Sequence, residues 1–182
     1  MGRRQGSGGA QMNELPAAND PDRRFMADAM LGKLARWLRI LGYDTAYEKV
    51  IDDSALIERV IGENRWLLTR DGYLTQRKVL RGRHTLIASD HLDGQLRQLR
   101  DELSLRLDLG EGRPFRCADC NVALHPISAE DAAPLVPPFV ARQYHEFLQC
   151  DRCGRVYWPG THWEDLSGRL DRIRRGEAGA DQ

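Results

Sequence analysis

The sequence predicts an α/β protein: a three-layer domain on a parallel sheet, followed by a small module cross-linked by four cysteines. Three observations carry this. Short apolar runs alternate with segments of helical period between residues 25 and 105, and these runs lead into acids. Downstream, Cys117-Ala118-Asp119-Cys120 and Cys150-Asp151-Arg152-Cys153 form two Cys-x-x-Cys pairs with 29 residues between them. Alternating strands and helices favour a parallel sheet covered on both faces.

The opening element is Phe25 to Thr45. Phe25-Met26-Ala27 is a strand ending at Asp28. Leu31, Leu34, Leu38 and Leu41 then recur at three- and four-residue steps, with Ala35 and Trp37 flanking that face. Lys33, Arg36 and Arg39 fall on the opposite side, and Gly42 stands where a left-handed helix end is easiest. Tyr43 to Tyr47 reads as the second strand. Leu56, Ile57, Val60 and Ile61 place a second helix from about Asp53 to Gly62, and Trp66-Leu67-Leu68-Thr69 is a buried strand before Asp71. A basic helical stretch is predicted over Tyr73 to Leu80 and a strand over Thr85 to Ala88, before Ser89-Asp90. Leu92, Leu96, Leu99 and Leu103 form the stripe of a helix reaching about Leu105.

Composition sets limits. The 182 residues are 41% hydrophobic and 30% charged, as a globular chain should be, and the formal net charge is zero. The simplest signal for nucleic acid, bulk positive charge, is therefore missing. Of the 27 basic residues only Lys33, Lys49 and Lys78 are lysines; arginine suits bidentate phosphate contacts, although a GC-rich genome produces the same bias. No run is long and apolar enough to cross a bilayer. Residues 1–22 are polar and glycine-containing, without the apolar core of a secretory signal, and are expected to be a flexible tail. A cytoplasmic location is the expectation, and there four paired cysteines point to metal before disulfides.

The expected boundaries are the tail at 1–22, a sheet domain at 23–110, a ribbon at 111–166 and a flexible charged tail at 167–182. Cys117, Cys120, Cys150 and Cys153 suit tetrahedral Zn²⁺, each pair forming a knuckle whose thiolates converge. Four sulfur ligands leave no open position, so this zinc is structural. Gly154 permits the positive φ that such a turn needs. The adjoining Tyr157, Trp158, His162 and Trp163 either stack bases or supply core to a ribbon short of apolar residues; for the tryptophans the second is favoured, and His162 stays open.

Asp28, Asp71 and Asp90 each follow a predicted strand, and Asp53 (or Asp52) begins a helix after another. A parallel sheet puts all strand C-termini on one edge, where ligands of open α/β sheets bind. Oxygen-only ligands favour Mg²⁺ or Mn²⁺, which activate water and stabilise the leaving oxygen in phosphodiester cleavage. Plain structural roles compete. Asp53 and Asp90 stand where helix caps belong, and Asp71 fits a turn. Lys33, Arg36, Arg39, Arg70, Arg77, Lys78 and Arg81 are candidates for tracking phosphates, or for an ordinary solvated face.

FMADAMLGKLARWLRILGYDT, DDSALIERV, LLTRD, ASDHLDGQLRQL and the knuckles ending in CGRVYWPGTHW resemble the Mut-seven C-terminal RNase domain family, over roughly Arg24 to Leu166. The resemblance implies a PIN-like three-layer α/β/α fold with a Cys₄ zinc ribbon, and an acidic edge that binds Mg²⁺ or Mn²⁺ and cleaves RNA. By position it assigns Asp28 as the first-strand acid and Asp71 as the acid of the T-x-D element. Asp53 takes the middle place, with Asp52 as rival, and Asp90 the fourth. Of the basic candidates, and apart from the resemblance, Lys33, Arg36 and Arg70 are the ones expected to contact RNA. The resemblance also implies that Thr69 orients Asp71 or a metal-bound water. The competing expectations are a non-catalytic RNA- or ribosome-binding protein of the same fold, and a regulatory protein holding a protein partner on the ribbon's aromatics.

Overall fold

The computed structural model describes residues 23–109 and 113–177; the expected tail at 1–22 and residues 178–182 lie outside them. Strand β1 (Phe25–Ala27) leads through a 3₁₀ turn at Ala29–Leu31 into helix α1 (Gly32–Ile40), and β2 (Thr45–Tyr47) into α2 (Asp53–Gly62). Next come β3 (Trp66–Thr69), the short α3 (Gly72–Thr75), a 3₁₀ turn at Lys78–Leu80, β4 (His84–Leu86) and α4 (Leu92–Leu103). The four strands form one parallel sheet in the order β2-β1-β3-β4. Parallel neighbours need crossover helices, and those helices bury both faces.

Side-chain alternation sorts the central strands between two cores. Phe25, Ala27, Trp66 and Leu68 face α1 and α4, packing with Leu34, Leu38, Leu96 and Leu99. Met26 and Leu67 face the other way, onto Leu56 and Val60 of α2 with Leu74 and Leu80. This is the expected three-layer arrangement. Gly42 has φ +87 and ends the α1 turn, and a side chain there would collide with Arg113.

Two local expectations change. The stretch from Tyr73 to Leu80 is not one helix: Arg77, at ψ 119, is extended and separates α3 from the 3₁₀ turn. The α4 helix is preceded by His91, not capped by Asp90, and its entry is held by Ser89, whose hydroxyl accepts from the His91 N–H at 3.1 Å.

The second unit is a three-stranded antiparallel sheet of β5 (His125–Ile127), β6 (Phe147–Gln149) and β7 (Val156–Tyr157), in the order β5-β6-β7. Between β5 and β6 run α5 (Ala129–Ala132), a 3₁₀ turn at Ala133–Leu135 and α6 (Pro138–Gln143). They give the ribbon a core of Ala132, Val136, Val140, Phe147 and Val156, with Trp158 packed against it.

Residues from 167 onward were expected to form a flexible tail. Instead α7 (Thr161–Arg175) is a 15-residue helix that returns to the first domain. Leu170 and Ile173 are buried in the same core as α1 and α4. Arg100 of α4 donates to the carbonyls of Ile173 and Arg174 at 2.6 and 3.0 Å. These are carbonyls of the last turn of α7, where intrahelical donors run out; the Ile173 carbonyl also accepts from the Gly176 N–H at 3.1 Å.

Candidate functional site

At the C-terminal edge of the sheet, β1 and β3 end side by side, and the Asp28 N–H donates to the Leu68 carbonyl at 2.9 Å. Asp28 then turns the chain: its Oδ1 accepts from the Ala29 N–H at 2.6 Å. Its Oδ2 accepts from the Thr69 hydroxyl at 2.7 Å. Thr69 is fully buried, and its hydroxyl oxygen accepts in turn from the Asp71 N–H at 3.0 Å. One side chain thus fixes two acids. Asp71 caps α3, its Oδ1 accepting from the N–H groups of Tyr73 at 2.7 Å and Leu74 at 3.4 Å. Its Oδ2 has no hydrogen-bond partner among the described residues.

A further residue positions this edge. The Tyr47 hydroxyl donates to the Ala29 carbonyl at 3.1 Å, holding down the turn that carries Asp28. Gly32 makes room for it, since a Cβ there would stand 2.7 Å from the Tyr47 oxygen.

The remaining acids lie apart from this pair. Asp52, not Asp53, caps α2, accepting from the Ala55 N–H at 3.0 Å. Asp53 is exposed and has no hydrogen-bond or ion-pair partner among the described residues. Asp90 has a 72% exposed side chain and is ion-paired with Arg70. Among the described residues these acids do not gather into a group able to hold a metal ion; the cysteines are the only such group.

The basic candidates divide as well. Lys33 is exposed on α1, and Arg36 reaches Asp119 of the first knuckle at 2.7 Å. Arg39 is not on a solvated face. It is 5% exposed, and its Nε donates to the Thr45 carbonyl at 2.8 Å. Its Nη1 donates to the carbonyls of Ala118 and Asp119, both at 2.9 Å.

The cysteine centre is compact. The four sulfurs lie within 4.8 Å of one another, none is in a disulfide, and Cys117 Sγ and Cys153 Sγ are 3.8 Å apart. A regular tetrahedron of Zn–S bonds near 2.3 Å has S–S edges of about 3.8 Å, so the residues fit zinc. The two knuckles share a backbone: Asn121 N–H donates to the Cys117 carbonyl at 2.9 Å, and Gly154 N–H to that of Cys150 at 2.8 Å. Both turn residues are left-handed, at φ +63 and +70.

The thiols are not equivalent. Burial pushes Cys117 up, but hydrogen bonds from the Tyr157 hydroxyl, 3.2 Å away, and from the N–H groups of Cys120 and Asp119 outweigh it and bring the thiol to about 6. Burial and the neighbouring sulfurs push Cys120 up to about 12, and burial raises Cys150.

Asn121 also docks its knuckle. Its side chain donates to Asp44 at 2.7 Å and accepts from the Thr45 N–H at 2.9 Å. Burial raises the Asp44 carboxyl, but hydrogen bonds from Arg65 and Asn121 overcome this and hold it below the ordinary value. Arg116 adds bonds to the carbonyls of Gly42 and Asn121 at 3.3 and 2.8 Å. Sequence reasoning missed Asn121, Asp44 and Arg116. One signal was present: Asn121 occupies after the first pair the place Gly154 holds after the second, and asparagine tolerates positive φ best after glycine. Trp163 meets Phe115 edge-on at 4.8 Å; with Trp158 against the ribbon core, both tryptophans have packing roles. His162 is exposed in the first turn of α7.

The class the structure defines is a parallel α/β domain with carboxylates at its C-terminal edge, joined to a ribbon whose four cysteines could hold a metal ion. The family model of the Mut7-C RNAse domain matches residues 23–170, and the chain belongs to that family. Comparison with curated proteins and with solved structures gives no match. Family membership supports a ribonuclease-type function with RNA as the substrate class.

Proposed function

We propose that the protein is a Mg²⁺- or Mn²⁺-dependent ribonuclease acting at the acidic edge, with a zinc ribbon that braces the fold. The observation carrying this reading is the Asp28–Thr69–Asp71 link: one buried hydroxyl joins the Asp28 carboxylate to the Asp71 backbone N–H, and so ties together the acids that follow two adjacent strands at the edge where α/β sheets bind ligands. Both acids are partly exposed, and among the described residues Asp71 Oδ2 has no partner and no His or Cys groups with the pair, a donor set that suits a hard cation. Asp53 and Asp90 complete the proposed set from either side. A divalent cation bound there would activate water and neutralise charge on the leaving oxygen. The chain's own part is to hold the carboxylates: Ala29 and Thr69 fix Asp28, and the first turn of α3 fixes Asp71.

Lys33, Arg36 and Arg70 are proposed to contact the RNA backbone. The ion pairs of Arg36 with Asp119 and Arg70 with Asp90 are surface pairs of small net strength, and phosphate can replace either acid. A reducing compartment such as the cytoplasm belongs to the same reading, since the ribbon needs free thiols.

One observation favours a second reading, RNA binding without cleavage: the acids are not gathered into a cation-holding group. Cleavage of a labelled RNA of mixed structure, with and without Mn²⁺, separates the two. The ribonuclease reading expects Mn²⁺-dependent cutting that falls at least about 100-fold in Asp28→Asn and Asp71→Asn, with circular dichroism unchanged. Equal cutting by wild type and both variants would remove the edge from the mechanism. Binding without cutting by the wild type would establish the second reading.

A further inference from the structure

The loops after the first three strands share a feature that the carboxylates do not explain. Met30, Val50 and Tyr73 follow β1, β2 and β3, and these residues are 66%, 88% and 83% exposed. These strands are neighbours in the order β2-β1-β3. At a spacing of about 4.8 Å per strand, the three loops emerge within roughly 10 Å of one another on the edge that carries Asp28 and Asp71. Apolar side chains grouped around a polar site mark a contact surface more than chance exposure does.

Tyr73 is the informative one. Its backbone N–H donates to Asp71 Oδ1 at 2.7 Å, so the ring starts one short side chain from the carboxylate. The four-residue α3 buries Leu74 and leaves Tyr73 outside. A ring this exposed contributes little to folding, and the bond to Asp71 comes from the main chain. The ring therefore has no structural task here.

We propose that Tyr73 is a substrate-positioning residue: its ring stacks on an unpaired RNA base next to the phosphate that a cation at Asp28 and Asp71 would engage, with Met30 and Val50 bordering that subsite. The inference rests on the ribonuclease reading and adds to it a means of selection. Aromatic rings stack on bases splayed out of a helix, and such stacking tolerates any base because every base has a π-face. Duplex RNA keeps its base faces stacked on each other and offers Tyr73 none. The edge thus selects unpaired nucleotides without reading their sequence.

The test uses full-length, zinc-loaded Tyr73→Ala and Tyr73→Phe, with Val79→Ser as an exposed apolar control on the turn before β4. Affinity for a fluorescent single-stranded oligonucleotide and for a duplex is measured without added Mn²⁺; cleavage is measured with it. A second series walks one abasic position along the single strand. The expected result is that Tyr73→Ala weakens single-strand binding and raises KM about tenfold, with kcat within about twofold. Tyr73→Phe and Val79→Ser should match wild type, and duplex binding should not move. Wild type should lose affinity at one or two abasic positions, and Tyr73→Ala at none.

Unchanged single-strand affinity in Tyr73→Ala, an equal loss on duplex, or an equal loss in Tyr73→Phe would overturn the proposal. So would a wild type that binds no single-stranded RNA. A wild type that binds but never cuts, with binding still weakened in Tyr73→Ala alone, would sink the ribonuclease reading and leave the stacking subsite standing.

Discussion

The chain carries a cluster of four cysteines able to hold a metal ion and a row of carboxylates proposed to hold another, and the two are prepared to different degrees. The four cysteine sulfurs are drawn together within 4.8 Å, two of them buried, with knuckle backbones already turned toward the centre. The carboxylates are spread along a sheet edge, tied to backbone N–H groups and to Thr69, and not drawn together. The physical reason is charge. Soft thiolates around zinc form a closed centre that contributes to folding. Mg²⁺ keeps several waters and is held by one or two carboxylates plus substrate phosphates, so a competent edge need not be assembled before RNA arrives. On the proposed reading, the difference separates a metal that would belong to the folded chain from one that would belong to the complex.

Breaking the cysteine centre should have the largest effect. Structural zinc contributes about 10–16 kcal/mol of apparent binding energy in small modules. Cys150→Ser should therefore lose stoichiometric zinc and unfold β5–β7, seen as bound metal by mass spectrometry and as rapid proteolysis within residues 115–160. If the ribbon stays protease-resistant without metal, its small apolar core suffices and the contrast drawn above fails. Thr69→Val sharpens the other side. It removes the hydroxyl that joins Asp28 to Asp71 while keeping the volume, so activity should fall about tenfold or more, with about 1–3 kcal/mol lost in urea melts from the unpaired groups. Activity at the wild-type level would make the link structural only. The smallest effect is expected at the joint. Asn121→Ala removes the bonds to Asp44 and Thr45 and strains a positive φ, costing about 1–3 kcal/mol; Asn121→Gly loses the bonds but not the conformation and should cost less. Equal melting temperatures for the two variants would mean that φ is not strained there.

What could be read in advance was what lies in local period and spacing. The apolar run of Phe25, Met26 and Ala27, the leucine stripe of α1, the acids after β1 and β3 and the paired cysteines each carry their signal within a few residues. Arg39 does not. Its place among Lys33 and Arg36 looks solvent-facing, yet its guanidinium is held by carbonyls about 80 residues downstream, and no local pattern encodes that. The α7 helix escaped for a related reason. Only Leu170 and Ile173 anchor it deeply, a stripe two residues long inside a highly charged segment. The cap of α2 was ambiguous because Asp52 and Asp53 are chemically identical, and only the backbone angles choose Asp52.

The return of α7 bears on how this chain can be cut. At its entry the second unit is tied by Arg113 and Arg116, which reach the carbonyls of Leu41 and Gly42. At its exit it is tied by α7, lying on α4 with Leu170 and Ile173 sunk into the first core. The ribbon is thus a parenthesis inside the α/β domain and not a bead strung after it. A stop codon after Gly110 would not release a free-standing nuclease domain; it would uncover the leucines of α1 and α4 and leave a sticky, incomplete layer. A clean excision takes a splice, joining the end of the α4 segment near Asp108 to Thr161 and keeping the last helix in its groove.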